Sequence, residues 1–204
     1  QFSVQLDTEI YQDLLKQHGK TEFIGYENLA ADTKILAIVL DKMPIAKAVK
    51  NQEVEIVLAK TPFYARAGGQ SGDSGMLITE TGKVDITDTR TAGGIIVHLG
   101  KVVDGMVEDK QAVEALVNQE TRLKTACHHT ATHILQQALR DVLGSSIKQA
   151  GSSVDSKRLR FDFTFPRKLT PEEISQIETI ANAKIKKDLA VTIIETTLAK
   201  AKEQ

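Results

Sequence analysis

About six short β-branched runs follow one another between residues 34 and 99 with no helical spacing between them, and few folds accept that pattern. The runs cover residues 34–40, 45–49, 54–59, 76–78, 83–86 and 94–99, and polar turns such as Thr81-Gly82 separate them. Strands this short and this closely spaced need their edges covered, so they predict a small antiparallel barrel that closes on itself. His98 alternates with apolar neighbours in the last run and is expected to be structural.

Inside this region residues 61–75 read Thr-Pro-Phe-Tyr-Ala-Arg-Ala-Gly-Gly-Gln-Ser-Gly-Asp-Ser-Gly. Small and turn-forming residues on both sides of Gln70 let the backbone adopt unusual dihedrals and approach a ligand closely. A phosphate loop is excluded, because no Gly-Lys-Ser/Thr follows and the next segment is a strand rather than a helix. Taken alone, the stretch fits a glycine-rich hairpin loop equally well.

The second half changes period. Val113, Leu116 and Val117 carry helical spacing and predict a helix over part of residues 109–122. Residues 127–144 carry apolar side chains at 134, 135, 138, 139, 142 and 143, the rhythm of one helix face, with Gly144 as the stop. His129 and His133 stand four apart on that helix, so both imidazoles lie on one side, away from the centre of the apolar stripe. Such a pair fits either surface histidines or half of a metal site. Thr130 stands where a zinc protease of the His-Glu-x-x-His type carries its general base, which disfavours proteolysis. Cys127, two residues from His129, points elsewhere and is expected to be buried or half-buried.

Beyond a polar passage at residues 145–153, residues 158–165 alternate, with Leu159, Phe161, Phe163 and Phe165 on one side and Arg160, Asp162 and Thr164 on the other. Thr170-Pro171-Glu172-Glu173 forms a capping box with proline in the first turn, predicting a helix to about Asp188. A strand over 191–198 and the start of a helix at Ala199 are expected after it. At the other end, residues 7–18 predict a short helix stopped by Gly19, an appendage to the barrel in which His18 complements the dipole.

With 204 residues, 41% of them hydrophobic, the chain has ample core for one large domain or two small ones. A net charge of −1 argues against broad electrostatic binding to nucleic acid but leaves room for a local basic patch. The one cysteine excludes an internal disulfide and fits a reducing compartment. No run approaches a membrane span, the N-terminus lacks the blocks of a signal peptide, and Gln1 in place of Met suggests a piece of something longer.

Together these segments resemble the editing domains of alanyl-tRNA synthetases and their free-standing relatives. The matching pieces are residues 61–64 with Gly68-Gly69-Gln70-Ser71-Gly72-Asp73-Ser74-Gly75, then His129-Thr130-Ala131-Thr132-His133, then Gln149-Ala150-Gly151-Ser152-Ser153-Val154 and Leu159-Arg160-Phe161-Asp162-Phe163. They occur in the family's order across residues 22–204. The resemblance implies an α+β chain: a helical appendage (1–21), a small antiparallel β-barrel with the glycine-glutamine loop (22–112), and an α/β two-layer domain of the threonyl/alanyl-tRNA synthetase editing type (113–204).

It further implies hydrolysis of mischarged Ser-tRNA(Ala) or Gly-tRNA(Ala) at a zinc site, because a pocket built for alanine rejects glycine and serine poorly and needs a second sieve. By that likeness His129 and His133 are zinc ligands, and Gln70 positions substrate or water, with Thr132 as a weaker catalytic candidate. Gly68, Gly69, Asp73, Arg158 and Arg160 are then substrate or tRNA contacts. The family's other two ligands form a later Cys-x-x-x-His pair that does not occur before Gln204, so little editing is expected from this piece alone. The implied partners are the acceptor end of tRNA(Ala) and the rest of a cytoplasmic, ATP-using alanine ligase, with no membrane. Two competing readings stand beside it: a non-catalytic tRNA-docking module with a structural or vestigial metal site, and the editing domain of threonyl-tRNA synthetase, which the loop in a preceding barrel disfavours.

Overall fold

The computed structural model describes residues 8–192, 196 and 197. Helix α1 (Thr8–His18) ends at Gly19, whose φ of +77° and amide bond to Leu15 O (2.9 Å) make the left-handed stop expected there. Ten strands follow: β1 (Glu22–Phe23), β2 (Ala30–Leu40), β3 (Met43–Ile45), β4 (Lys47–Val49), β5 (Glu53–Leu58), β6 (Lys60–Thr61), β7 (Gly75–Ile78), β8 (Gly82–Ala92), β9 (Ile95–Glu108) and β10 (Ala112–Val117). Six of them close a ring in the order β10-β7-β8-β9-β5-β2, and β2 pairs back to β10, every contact antiparallel.

Alternation fills both surfaces of this barrel. Ile56 and Leu58 point into the interior with Ile35, Ile38, Leu77 and Val84, while Val57 between them points outward. Outside, Val57 joins Ala37, Ile95 and Val97 in burying Tyr11 and Leu14 of α1. The appendage is therefore packed onto the barrel wall by its apolar stripe.

The helix expected around residues 113–117 is instead β10. Its Val113, Ala115 and Val117 are buried and Ala112 and Glu114 exposed, a period of two, and its backbone pairs on both sides, with β2 and β7. Ala115 hid the alternation, since a methyl group carries little hydrophobic signal, and the strand exists because the barrel needs a sixth member to remove its edges.

His98 sits in the barrel wall without solvent contact. Its Nδ1 donates to Ile56 O at 2.9 Å, so Nε2 accepts from the Thr61 hydroxyl at 2.7 Å, and Phe63 packs edge-on at 5.2 Å. Burial holds its pKa down to about 4, against an ordinary 6.5. Between those values the unfolded chain takes up a proton that the folded chain refuses. Stability from this residue is thus complete above pH 6.5 and drains away toward pH 4, about 3 kcal/mol in all. Denaturant unfolding at neutral pH and at pH 4.5 should show a clearly steeper acid loss for the native chain than for His98→Leu.

Helix α2 (Gln119–Leu143) starts at Asn118, whose side chain accepts from Thr121 N at 2.9 Å, and is stopped by Gly144. Strands β11 (Gln149–Val154) and β12 (Leu159–Phe163) form a two-stranded antiparallel sheet, and helix α3 (Pro171–Ile185) completes the second half. Ala138 and Leu139 of α2, Ile147 and Ile177 of α3 make its core, covered by Phe161, Phe163 and Phe165. The capping box is formed as expected: Glu173 N donates to Thr170 Oγ1 at 3.2 Å and Thr170 N to Glu173 Oε2 at 2.9 Å. The helix ends at Ile185, about a turn short of Asp188.

Strand β11 was not expected, since Gly151, Ser152 and Ser153 have little intrinsic strand preference; pairing with β12 supplies what propensity does not. The later strand and helix expected at residues 191–198 and from Ala199 fall largely on residues outside those described. Cys127 proves exposed, contrary to expectation. It lies about three turns before buried Ala138 on the same side of the helix, but the packing that covers Ala138 does not extend back to its level.

Candidate functional site

Residues 62–74 leave the barrel as a loop that lies along α2 and meets it twice. Arg122 and His129 are seven residues apart on α2, two turns and about 10 Å along one face. Asp73 of the loop reaches the first and Gln70 the second. Thr125, three residues past Arg122, and Thr132, three residues past His129, are both buried.

At the first anchor Arg122 holds Asp73 bidentately, with Nε at 3.0 and 2.9 Å from the two carboxylate oxygens and Nη2 against Oδ2. The same guanidinium donates to Gly25 O (2.7 Å) and Pro62 O (2.9 Å), so one side chain ties the helix, the loop and the segment after β1 together. Asp73 Oδ2 also accepts from Tyr64 N at 2.8 Å, closing the neck of the loop. With a side chain only 4% exposed, Asp73 holds its carboxylate against Arg122 and the Tyr64 amide. No linear pattern marked Arg122; its spacing of seven from His129 is the signal that placed it on the same face.

At the second anchor Gln70, buried in the loop, brings its Oε1 to 2.6 Å from His129 Nδ1. An amide oxygen only accepts, so Nδ1 carries the hydrogen and Nε2 is left with its lone pair free. His133, exposed one turn on, stacks its ring on that of His129 at 5.1 Å and 25°. Burial, and then the neighbouring His133, lower the His129 pKa and favour the neutral imidazole. Two imidazoles on one helix face, one with its tautomer set by an amide, suit a borderline-soft cation such as zinc. They amount to half of a tetrahedral set; among the described residues no third His, Cys, Asp or Glu joins them.

The loop is also stitched to the second half through its backbone. Ser71 N donates to Val154 O (2.9 Å) and Val154 N to Gly69 O (2.8 Å), a parallel bridge onto β11 that brings the two sequence motifs into contact. Gly69 makes this approach possible: its φ is +84°, and a β-carbon there would lie 2.4 Å from Ser152 Oγ and 2.8 Å from Ser152 O. Gly69→Ala is expected to cost about 2 kcal/mol from backbone strain and collision. Faster hydrogen exchange at the Ser71 and Val154 amides would report the loop lifting off β11. Gly68, at φ +58°, faces open space beside Gln70.

The other candidates lie apart from this contact. Thr132 is 5% exposed and its hydroxyl donates to His128 O at 2.8 Å, within its own helix. Arg158 and Arg160 are exposed at the start of β12, Arg160 pairing with Asp162 at 3.1 Å. Among the described residues neither arginine forms a hydrogen bond or ion pair with Gln70 or His129.

The sequence model of the family described as tRNA synthetases class II (A) matches residues 2–121, well over half of the chain. The chain belongs to that family. Within it, the chain is 44% identical over 195 residues to the alanine-tRNA ligase of Desulforamulus reducens, covering 95% of this synthetase sequence and 22% of that relative. The alanine-tRNA ligase of Paracoccus denitrificans is 40% identical over 185 residues, with coverage of 91% and 21%, and that of Rhizobium meliloti 43% over 174 residues, with 85% and 20%. This synthetase chain therefore spans about a fifth of the length of the curated relatives it matches. Among its described residues no helix is long and apolar enough to cross a membrane.

Proposed function

We propose that this chain is the editing part of an alanine-tRNA ligase, hydrolysing the ester that joins serine or glycine to the 3′ end of tRNA(Ala). The observation that carries the reading is the Gln70 Oε1···His129 Nδ1 contact at 2.6 Å, which joins the loop of the barrel to the histidine helix and leaves the imidazole Nε2 lone pair free for a ligand. His129 and His133 would supply two nitrogens to zinc, and the resemblance puts the other two in a later Cys-x-x-x-His pair. Bound there, zinc supplies a Lewis acid. Gln70 orients His129 and keeps its Nδ1 protonated. Gly68 leaves open space beside Gln70 for an aminoacyl group, while Gly69 lets the loop close onto β11. The surrounding polypeptide would be a cytoplasmic enzyme that joins alanine to its tRNA using ATP, with a barrel-and-helix unit of the alanyl editing type as its second sieve.

A longer polypeptide carrying this chain should deacylate Ser-tRNA(Ala), bind one zinc ion, and lose both properties on His133→Ala. Retention of hydrolysis by that variant would overturn the reading. The half donor set favours a second reading, a tRNA-docking module without chemistry. On that view, the longer polypeptide binds tRNA and leaves the serine ester intact.

A further inference from the structure

Three aromatic rings gather at the neck of the loop. Phe23 packs edge-on against Tyr26 (centroids 5.1 Å apart, planes at 81°) and against Tyr64 (6.1 Å, 71°). Gly25 is buried between them because a β-carbon there would strike Pro62 O at 2.1 Å and the Phe23 ring at 2.5 Å, and this turn presents Tyr26 outward with 62% of its surface exposed. Burying that ring would be favourable, yet nothing among the described residues covers most of it. Two residues on, past buried Ala65, Arg66 stands out with its side chain 57% exposed. One of its amino groups touches Asp88 at 3.3 Å, a carboxylate already held by Arg90 Nε at 2.8 Å and by Thr89 N at 3.0 Å. Most of the five Arg66 donors therefore remain available.

This surface has a fixed relation to Gln70. Tyr64 is tied to Asp73 by two hydrogen bonds, Tyr64 N to Asp73 Oδ2 at 2.8 Å and Asp73 N to Tyr64 O at 3.0 Å. The Arg122 that grips Asp73 lies about 10 Å along α2 from the His129 that meets Gln70. Arg66 and Gln70 flank one tight turn, closed by Gln70 N to Ala67 O at 2.9 Å. Rings that stack any base, a guanidinium that pairs with phosphate, and a spacing of a few nucleotides from the histidines are the elements of a single-strand track.

We propose that Tyr26, with Phe23 and Tyr64, stacks the unpaired bases just before the 3′-terminal nucleotide of an RNA, and that Arg66 contacts a phosphate of the same strand. The inference rests on the editing reading for its orientation, the terminal nucleotide being led toward Gln70. It deepens that reading by assigning residues outside the histidine site, Tyr26 and Arg66, to the strand that leads into it.

The test is the affinity of the chain for a labelled RNA hairpin with a short single-stranded 3′ overhang, beside the same hairpin with a blunt end. The overhang should bind more tightly; Tyr26→Ala should weaken it roughly tenfold, and Tyr26→Phe should restore it, since the ring and not the hydroxyl does the stacking. Arg66→Gln should flatten the dependence of affinity on salt by about one unit of slope, while Arg66→Lys keeps it. Both positions are exposed, so melting temperatures should not move. Equal affinity for blunt and overhanging hairpins, no measurable binding of either, or full affinity in Tyr26→Ala would overturn the proposal. If the longer polypeptide fails to hydrolyse Ser-tRNA(Ala) while Tyr26 still governs overhang binding, the track stands and the hydrolytic reading falls.

Discussion

Arg122→Leu is expected to destabilise the fold by about 3–5 kcal/mol in denaturant unfolding, the usual cost of leaving one member of a buried ion pair alone. The guanidinium is 16% exposed and Asp73 only 4%, so water cannot replace what is lost. Three groups lose a donor together: the Asp73 carboxylate, left with only the Tyr64 amide, and the carbonyls of Gly25 and Pro62. Asp73→Asn should cost less, because an amide oxygen still accepts from Arg122 and Tyr64 N and the guanidinium, though it loses its counter-ion, keeps the Gly25 and Pro62 carbonyls. A double-mutant cycle between the two positions should give strong coupling, since the second change removes a charge the first left without a partner. Additive costs would mean that the pair is not the clasp described here. The loss should also reach the chemistry, for Asp73 and Gln70 hang on one loop.

Gln70→Ala is expected to lower Ser-tRNA(Ala) hydrolysis by the longer polypeptide about 10- to 100-fold, with a comparable loss in zinc affinity. The physical cause is the tautomer. Without an acceptor 2.6 Å from Nδ1, His129 is free to carry its hydrogen on Nε2 and to turn on its stem. Gln70→Glu keeps an acceptor at that place and should retain more activity than alanine. Unfolding should move by only about 1 kcal/mol, one hydrogen bond's worth, so an intact fold with impaired zinc binding is the signature. If Gln70→Ala binds zinc and hydrolyses as well as the native chain, the amide has no part in the site.

The secondary structure that was legible in the sequence is the part governed by neighbours in the chain. The Thr170–Glu173 box, the Gly19 stop, the apolar face of residues 134–143 and the alternation of Phe161 with Phe163 all express contacts a few residues apart, and each appears in the fold. Membership in the synthetase family was legible in the same way, through short motifs kept in order. Other features depended on partners far along the chain. The strand at Ala112–Val117 took its form from two neighbours in the barrel, and β11 formed from glycine and serine because β12 and the loop were there to pair with it.

The site divides along the same line. Sequence spacing alone put His129 and His133 on one helix face, because four residues make about one turn whatever surrounds them. That Gln70, 59 residues earlier, should meet His129, and that Asp73 should be buried under Arg122 across 49 residues, was decided by tertiary structure. Helical period is a local property of the backbone. Which polar groups find each other out of water depends on how barrel and helix dock, and no spacing along the chain records that.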